Sequence, residues 1–179
     1  MNKACLVLCV WLLNACTGQP DGVTVINNIN ANKYLGKWYE IARLDHSFEQ
    51  NLQQVTATYS LLKDGGIRVI NRGFNTKTKR WKEVEGKAYF IEASQADNTY
   101  TGRLKVSFFG PFYGAYNIIA LDKPDYNYVM ICGPNKSYLW ILSRTQTLAY
   151  PIKQRLIAKA KALGFAVDQL INVEQTLNP

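Results

Sequence analysis

The sequence predicts an all-β protein, an eight-stranded antiparallel up-and-down β-barrel with one C-terminal α-helix packed on its outside. From Trp38 onward, short runs of β-branched and aromatic residues recur between turn-forming residues, which is typical of antiparallel barrels and sandwiches. Within several runs apolar and polar residues alternate, so one face of each strand is expected to point into an apolar interior. Hydrophobic residues are 47% and charged residues 19% of the 179-residue chain, which favours a folded domain over disorder.

Eight strands are predicted between residues 38 and 143, separated by clusters of Gly, Pro, Asn and Asp. They are Trp38–Leu44, Val55–Leu62, Ile67–Phe74, Trp81–Ile91, Gly102–Phe108, Gly114–Leu121, Tyr126–Cys132 and Tyr138–Ser143. Asp64 and Gly65, between the second and third strands, favour the positive φ angles of a tight hairpin. Consecutive hairpins give a meander, and eight strands can close into a barrel with room for one small ligand.

One helix is predicted from Pro151 to Leu163. Proline suits the first helical position, Leu156 and Ala160 continue an apolar stripe, and Gly164 suits the C-terminal cap. The other faces carry Lys153, Arg155, Lys159 and Lys161. The apolar stripe is expected to pack on the barrel wall, although a basic helix beside a membrane could instead contact lipid headgroups.

The first residues predict export and a lipid anchor. Lys3 precedes an apolar run from Ala4 to Leu13 that is too short to span a bilayer, so residues 1–15 are interpreted as a signal peptide. The run ends in Leu-Asn-Ala-Cys, which resembles the lipobox of bacterial lipoproteins and implies a mature N-terminus at Cys16 with three acyl chains. Several chains anchor firmly because burial is additive. In lipoproteins an Asp at the next position would imply inner-membrane retention, so Thr17 favours the outer membrane, on its periplasmic face.

Residues 16–32 are interpreted as the lipidated N-terminus and a tether, because they are rich in Gly, Pro, Asp and Asn, and residues 33–179 as the barrel domain. After loss of the signal peptide and lipidation, Cys132 is the remaining cysteine, so no intramolecular disulfide is expected. The mature chain has 20 Lys and Arg against 13 Asp and Glu, a net charge of +7 that should attract anionic headgroups. These charges are dispersed, and export disfavours nucleic acid as a partner.

Three segments resemble the signatures of the lipocalin family. Tyr34–Arg43, which contains Gly36 and Trp38, resembles the G-x-W signature that opens the lipocalin fold. Leu121–Tyr126 resembles the second signature, and Arg144 after Leu139–Ser143 resembles the third. The sequences from Trp38 to Glu49, Val106 to Gly114 and Tyr138 to Thr145 look like the bacterial lipocalins, which are outer-membrane lipoproteins. The resemblance extends from about Ile29 to Leu170.

The resemblance implies that Trp38 plugs the closed end of the barrel, with Arg144 across its ring and Gly36 as part of the signature. It also implies a protein that binds, stores or transports fatty acids or lysophospholipids in envelope maintenance or stress. Candidate cavity-wall residues are Trp140, Tyr59, Val106, Phe108, Phe112, Tyr113 and Tyr116, because aromatic walls accept an acyl chain and hydroxyls can orient a headgroup. For each of them plain core packing is the alternative.

Two other functions compete with lipid binding. The first is a structural envelope lipoprotein whose barrel is filled by its own side chains, and only ligand data separate it from a carrier. The second is a lipid-modifying enzyme, which is disfavoured because His46 is the only histidine and Cys132 has no second histidine to activate it. No cofactor, metal or catalytic residue is predicted. The sequence leaves open whether two barrels associate.

Overall fold

The architecture of the protein was obtained as a computed structural model, which describes residues 17–92 and 98–176. The predicted signal peptide and Cys16 lie outside the described residues. In chain order the strands are β1 (Ile29–Asn30), β2 (Gly36–Arg43), β3 (Leu52–Leu61), β4 (Ile67–Asn75), β5 (Arg80–Phe90), β6 (Thr99–Tyr100), β7 (Arg103–Phe109), β8 (Phe112–Leu121), β9 (Tyr128–Cys132), β10 (Leu139–Ser143) and β11 (Ile171–Asn172). Two helices are α1 (Ala31–Tyr34) and α2 (Tyr150–Ala162). Within the described residues no helix is long and apolar enough to cross a bilayer.

Eight of these strands form the predicted closed antiparallel barrel. Each of β2, β3, β4, β5, β7, β8, β9 and β10 pairs with the next, and β10 returns to pair with β2. The β2–β3, β4–β5, β7–β8 and β9–β10 connections therefore lie at one end, which we call the open end. The other end, the base, holds α1 and the remaining turns. Outside the barrel, β11 pairs with β2, and β1 pairs with β6.

The strand limits coincide with the predicted ones or differ from them by at most three residues. The largest shift is at β3, which begins at Leu52 rather than Val55 because a bulge with Gln54 at φ 51° extends the strand. At β9 the predicted start, Tyr126, instead lies in the preceding turn with φ 57°, and its amide donates to the carbonyl of Asp122. A bulge costs the sheet one ladder position and reverses the inward or outward direction of later side chains.

Such a reversal explains one wrong interpretation in β2. Alternation from Trp38 places both Glu40 and Ala42 inside the barrel, but the pairing of β2 with β10 shifts by one residue between these positions. Ala42 consequently packs in the cluster under α2, and the buried side chain of Arg43 pairs with Glu40 instead. Alternation along the second predicted strand, Val55–Leu62, also places Leu61 on the inward face with Tyr59, but Leu61 is 56% exposed at the end of β3.

Helix α2 packs on the outside of the barrel, as predicted. Its Leu156 and Ala160 are buried against a cluster that includes Ile119 and Ile141 from the barrel wall. Gly164 adopts φ 82° directly after the helix, the left-handed conformation that glycine accepts without a Cβ penalty. This outer cluster and the barrel interior are separate layers of core on the two faces of the same strands.

The segment predicted as a tether is instead packed along the barrel. Val23 is 3% exposed within the cluster under α2, and Ile29 is fully buried in the interior cluster. The amide of Ile26 donates to the carbonyl of Ile118, and the amide of Gly102 donates to the carbonyl of Ile26. Because apolar burial and backbone pairing hold this segment, a free spacer can extend only upstream of these contacts.

Candidate functional site

The base of the barrel is closed by a stack of Arg144 on Trp38. The guanidinium carbon of Arg144 lies 3.8 Å from the centroid of the Trp38 ring, and the indole is fully buried. The three nitrogens of Arg144 donate to the carbonyls of Tyr126, Lys37 and Lys33 at 3.2, 3.0 and 2.7 Å. One side chain therefore ties α1, the start of β2 and the β8–β9 turn together.

Gly36 is required beside this stack. Its φ is 94°, a left-handed backbone conformation, and a Cβ at this position would lie 3.3 Å from Nη1 of Arg144. The indole nitrogen of Trp38 donates to the carbonyl of Tyr34 at 2.9 Å, so α1 is fixed over the ring. The signature residues thus act together in the geometry of the base.

Three tyrosine hydroxyls form the floor of the interior above Trp38. The hydroxyls of Tyr34 and Tyr116 are 2.6 Å apart, and those of Tyr59 and Tyr116 are 3.1 Å apart. Burial raises the pKa of Tyr59 to about 12 and the pKa of Tyr116 well above its usual value. The three groups are therefore neutral at physiological pH, and the floor presents hydroxyls without charge.

At mid-height the inner wall is apolar and incompletely filled. Ala57, Val106, Tyr116 and Trp140 pack on the interior cluster yet keep accessible surface, whereas Trp38 at the base has none. Their cross-strand partners, such as Trp38 opposite Ala57, fix their inward direction. Inward side chains that keep accessible surface leave space for a ligand.

A buried charged cluster lies near the open end. Nη1 of Arg43 is 2.7 Å from Oε1 of Glu40, and both side chains are almost completely buried. Nη2 of Arg43, at the end of β2, donates to the carbonyls of Glu49 and Leu52 where the β2–β3 loop enters β3. Burial, followed by the nearby Glu49 charge, raises the pKa of Glu40 to about 8 despite the favourable contact with Arg43.

Glu49 connects this cluster to the ligand-facing wall. Its Oε2 accepts a hydrogen bond of 3.0 Å from the indole nitrogen of Trp140. Burial raises the pKa of Glu49, and the Trp140 bond and the charge of Arg43 oppose that effect. The polar atoms of the β2–β3 loop therefore meet one of the predicted cavity residues directly.

His46 is buried in the same loop, although a lone histidine just past the first strand is expected to be solvated. The imidazole stacks on Tyr138 and Phe48 with centroids 4.8 and 5.3 Å away, and lies 4.7 Å from the Trp140 ring. Burial lowers the pKa of His46 to about 4, and the positive charge of Arg43 acts in the same direction. His46 is consequently neutral at pH 7 and serves as an aromatic packing element of the loop.

The structure brings together some of the predicted cavity residues and separates others. Tyr59, Val106, Tyr116 and Trp140 all contribute to the interior cluster, and Phe108 is half-buried against it. Phe112 is 65% exposed at the open end. Tyr113 lies on the outer wall, where its ring contacts Lys105 and Tyr89. Phe112 and Tyr113 were selected as aromatic residues, but they are adjacent in β8, and alternation from the inward Tyr116 places Tyr113 on the outer face.

Arg43 and Glu49 are the site residues that the sequence analysis did not select. A usable signal was present in β2, where Glu40 and Arg43 are opposite charges three residues apart within an apolar strand. Two such charges are expected to be paired if the strand is buried on both faces. For Glu49 no sequence signal marks the contact, because Trp140 is 91 residues away. In the described part of the chain no group of His, Cys, Asp and Glu side chains is arranged to hold a metal ion.

Comparison with known proteins agrees with this architecture. The sequence profile of the lipocalin-like domain matches residues 29–175. The chain is 50% identical to outer membrane lipoprotein Blc of Vibrio cholerae over 98% of its length and 99% of the relative's, and 53% identical to outer membrane lipoprotein Blc of Escherichia coli over 92% and 91%. The solved structure of insecticyanin from the tobacco hornworm superposes with a TM-score of 0.67 at 20% identity, covering 89% of this chain and 87% of that one.

Proposed function

This chain belongs to the lipocalin family, and we propose that it is an outer-membrane lipoprotein that binds a fatty acid or a lysophospholipid in its barrel. The names of the two bacterial relatives support the membrane location, since they match nearly the whole chain. In this proposal residues 1–15 are removed and Cys16 carries the lipid anchor. The protein stores or carries single-chain lipids for envelope maintenance or stress.

The observation that carries the proposal is the incompletely filled, apolar mid-height of the barrel. Ala57, Val106 and Trp140 face the interior and keep accessible surface above a sealed floor. An acyl tail of ordinary length placed there gains about 10 kcal/mol gross, at roughly 0.8 kcal/mol per CH2, before ordering and association costs. Micromolar affinity is consistent with that balance. The tyrosine hydroxyls and the Glu49 cluster supply polar groups at the two ends of the tail.

Two alternatives receive less support. Against a filled barrel stands the partial exposure of the inward side chains of Ala57 and Val106, and ligand measurements decide between the two. Catalysis by Cys132 is disfavoured because the thiol lies in the cluster under α2, outside the barrel interior, and burial raises its pKa to about 12. These observations favour binding over either alternative.

The proposal is tested by blocking the interior with one added ring. In Ala57→Phe the ring projects into the mid-height space, whereas in the matched control Thr58→Phe it projects outward from the same strand. We expect Ala57→Phe to weaken calorimetrically measured binding of palmitate or a lysophospholipid by at least tenfold, and Thr58→Phe to leave it within about twofold. Mass spectrometry of tag-free protein extracted from its own membrane should find one copurified single-chain lipid and the acylated Cys16.

The result against the proposal is equally definite. A wild-type protein that shows no saturable binding and no copurified lipid is a structural lipoprotein with a filled barrel. Equal weakening by Ala57→Phe and Thr58→Phe, with both variants folded by circular dichroism, would place the lipid outside the barrel.

A further inference from the structure

Helix α2 is the most basic element of the protein. Its 13 residues include Lys153, Arg155, Lys159 and Lys161 and no acidic residue, so it carries four of the seven net positive charges of the chain from Cys16 onward. Three of the four basic side chains are exposed, and Tyr150 at the start of the helix is 73% exposed. A cationic helix with an exposed aromatic residue at its end is suited to an anionic lipid surface.

The anchored end of the chain leaves the barrel beside this helix. The side-chain amide nitrogen of Asn117 donates to the carbonyls of Gly18 and Gly133 at 3.0 and 3.1 Å, so Gly18 lies next to the β9–β10 loop. In the same loop, Nζ of Lys136 is 3.3 Å from the position a Cβ would take on Gly164, directly after α2. Gly18, two residues after the predicted lipidation site, therefore lies near the C-terminal end of α2.

The N-terminal segment then runs along α2 toward the base. Ile26 lines a groove between the helix and the barrel wall with Leu121, Arg155 and Lys159, and the groove has a volume of about 390 Å³. The guanidinium of Arg155 donates to the hydroxyl of Tyr128 at one side of this groove. Helix, groove and anchored segment therefore share one face of the barrel, parallel to its wall.

We propose that this face, defined by α2, the β9–β10 loop and residues 17–26, docks on the anionic phospholipid headgroups of the membrane that holds Cys16. This inference rests on the lipidation of Cys16 in the proposed function. The charge of α2 complements an anionic leaflet. Contacts at Gly18, Val23 and Ile26 hold the segment after Cys16 against the barrel, so no long free spacer separates the anchor from this face. The barrel therefore lies on its wall, and its open end faces along the membrane.

The test uses the full lipidated protein reconstituted in vesicles of phosphatidylcholine alone or with phosphatidylglycerol added. A nitroxide is attached at Ala158→Cys, which is exposed on α2, or at the control Ser60→Cys, which is exposed on β3. Cys132 does not compete because it is buried and its thiol pKa is raised to about 12. A nickel-chelating lipid should relax the Ala158→Cys label at least threefold more in anionic than in neutral vesicles, and 0.5 M salt should remove most of the difference.

Charge variants make the result specific to α2. The substitutions Arg155→Gln, Lys159→Gln and Lys161→Gln together should abolish the anionic enhancement, and the matched set Lys77→Gln, Lys79→Gln and Lys87→Gln should retain it. Because Arg155 and Lys159 also bond to the barrel, the pair Ala158→Glu and Ala162→Glu, with the label moved to Gln154→Cys, provides a second route to the same loss.

Three outcomes overturn the inference. The first is equal relaxation of the α2 label in anionic and neutral vesicles, and the second is an equal loss of enhancement in both glutamine sets. The third is failure of the wild-type protein to float with neutral vesicles. That result would show that Cys16 carries no lipid anchor, and the docking inference would fail with it. Only the third outcome also contradicts the lipoprotein part of the proposed function, so the two failures are distinguishable.

Discussion

Replacement of Arg144 tests how much stability the base of the barrel receives from one side chain. In Arg144→Met the stacking on Trp38 is lost, along with three hydrogen bonds to the carbonyls of Tyr126, Lys37 and Lys33. A cation over an indole contributes about 1 kcal/mol at a partly exposed site. Each bond contributes about 0.5 to 1 kcal/mol, at the low end for a charged donor because water can replace part of it. The expected loss is about 3 kcal/mol.

A conservative variant separates charge from shape. Arg144→Lys keeps the positive charge, but an ammonium cannot reach three carbonyls in different directions or lie flat on Trp38. We therefore expect it to lose about 1.5 to 2 kcal/mol, at least half of the effect of Arg144→Met. If charge alone stabilised the base, Arg144→Lys would instead resemble the wild type.

The assay is urea unfolding followed by circular dichroism, with the unfolding free energy obtained by linear extrapolation at a common slope. The matched control is Arg68→Met, which breaks an exposed bidentate ion pair of 2.6 and 2.8 Å with Glu85 on the outer wall. An exposed pair of this kind contributes little to stability, because water and salt screen it. A loss in Arg144→Met no larger than in Arg68→Met would refute the reasoning about the base.

Three further predictions concern the loop, the C-terminus and the helix. The pKa of His46 falls from its usual 6.5 to about 4 on folding, so the neutral ring stabilises the fold above pH 6.5 and this contribution is lost as the pH falls toward 4. In His46→Phe the decrease in unfolding free energy between these two pH values, measured by urea unfolding, should be about 2 kcal/mol smaller than in the wild type. An equal decrease in the two proteins would contradict this prediction. Gln175→Ala removes the side-chain amide that donates to the buried carbonyls of Glu40 and Val55 at 2.7 and 2.9 Å. The unfolding free energy should fall by about 2 kcal/mol in the same measurement, because two buried acceptors lose their partner. A decrease under about 0.5 kcal/mol would mean that water replaces the amide. Leu156→Ala should lower the unfolding free energy by about 2 to 4 kcal/mol through the cavity under α2, and a smaller loss than for exposed Ile91→Ala would show that the helix is not docked.

The strands were predictable because each side of the barrel wall faces a different environment. Alternation and turn residues located all eight barrel strands to within three residues. The apolar stripe, Pro151 and Gly164 located the helix. The direction of Ala42 was predicted wrongly because it follows a shift in strand pairing, which depends on how two distant strands match rather than on local sequence. The packing of residues 17–32 failed for a similar reason, since Val23 and Ile26 carry too little local pattern to reveal the wall they cover.

The candidate site was predictable in its apolar part and not in its charged part. Tyr59, Tyr116 and Trp140 follow from inward alternation because each lies in a stretch of its strand where the pairing with a neighbouring strand is regular. The buried partners Arg43 and Glu49 do not, because a charged side chain is normally assigned to the surface. Only the folded β2–β3 loop supplies the carbonyls and the indole whose hydrogen bonds offset the free-energy cost of burying these two side chains.

The two ends of the barrel are closed by different chemistry, and this difference fits their different tasks. At the base, Arg144 bonds to backbone carbonyls, and neither partner titrates between pH 4 and 8, so the seal is independent of pH in that range. At the open end, Glu40, His46 and Glu49 hold the β2–β3 loop, and burial shifts the pKa of each toward its neutral form. Charging any of them therefore weakens the loop while the base stays shut. In the proposed function, the sealed base leaves the open end as the entrance for the ligand.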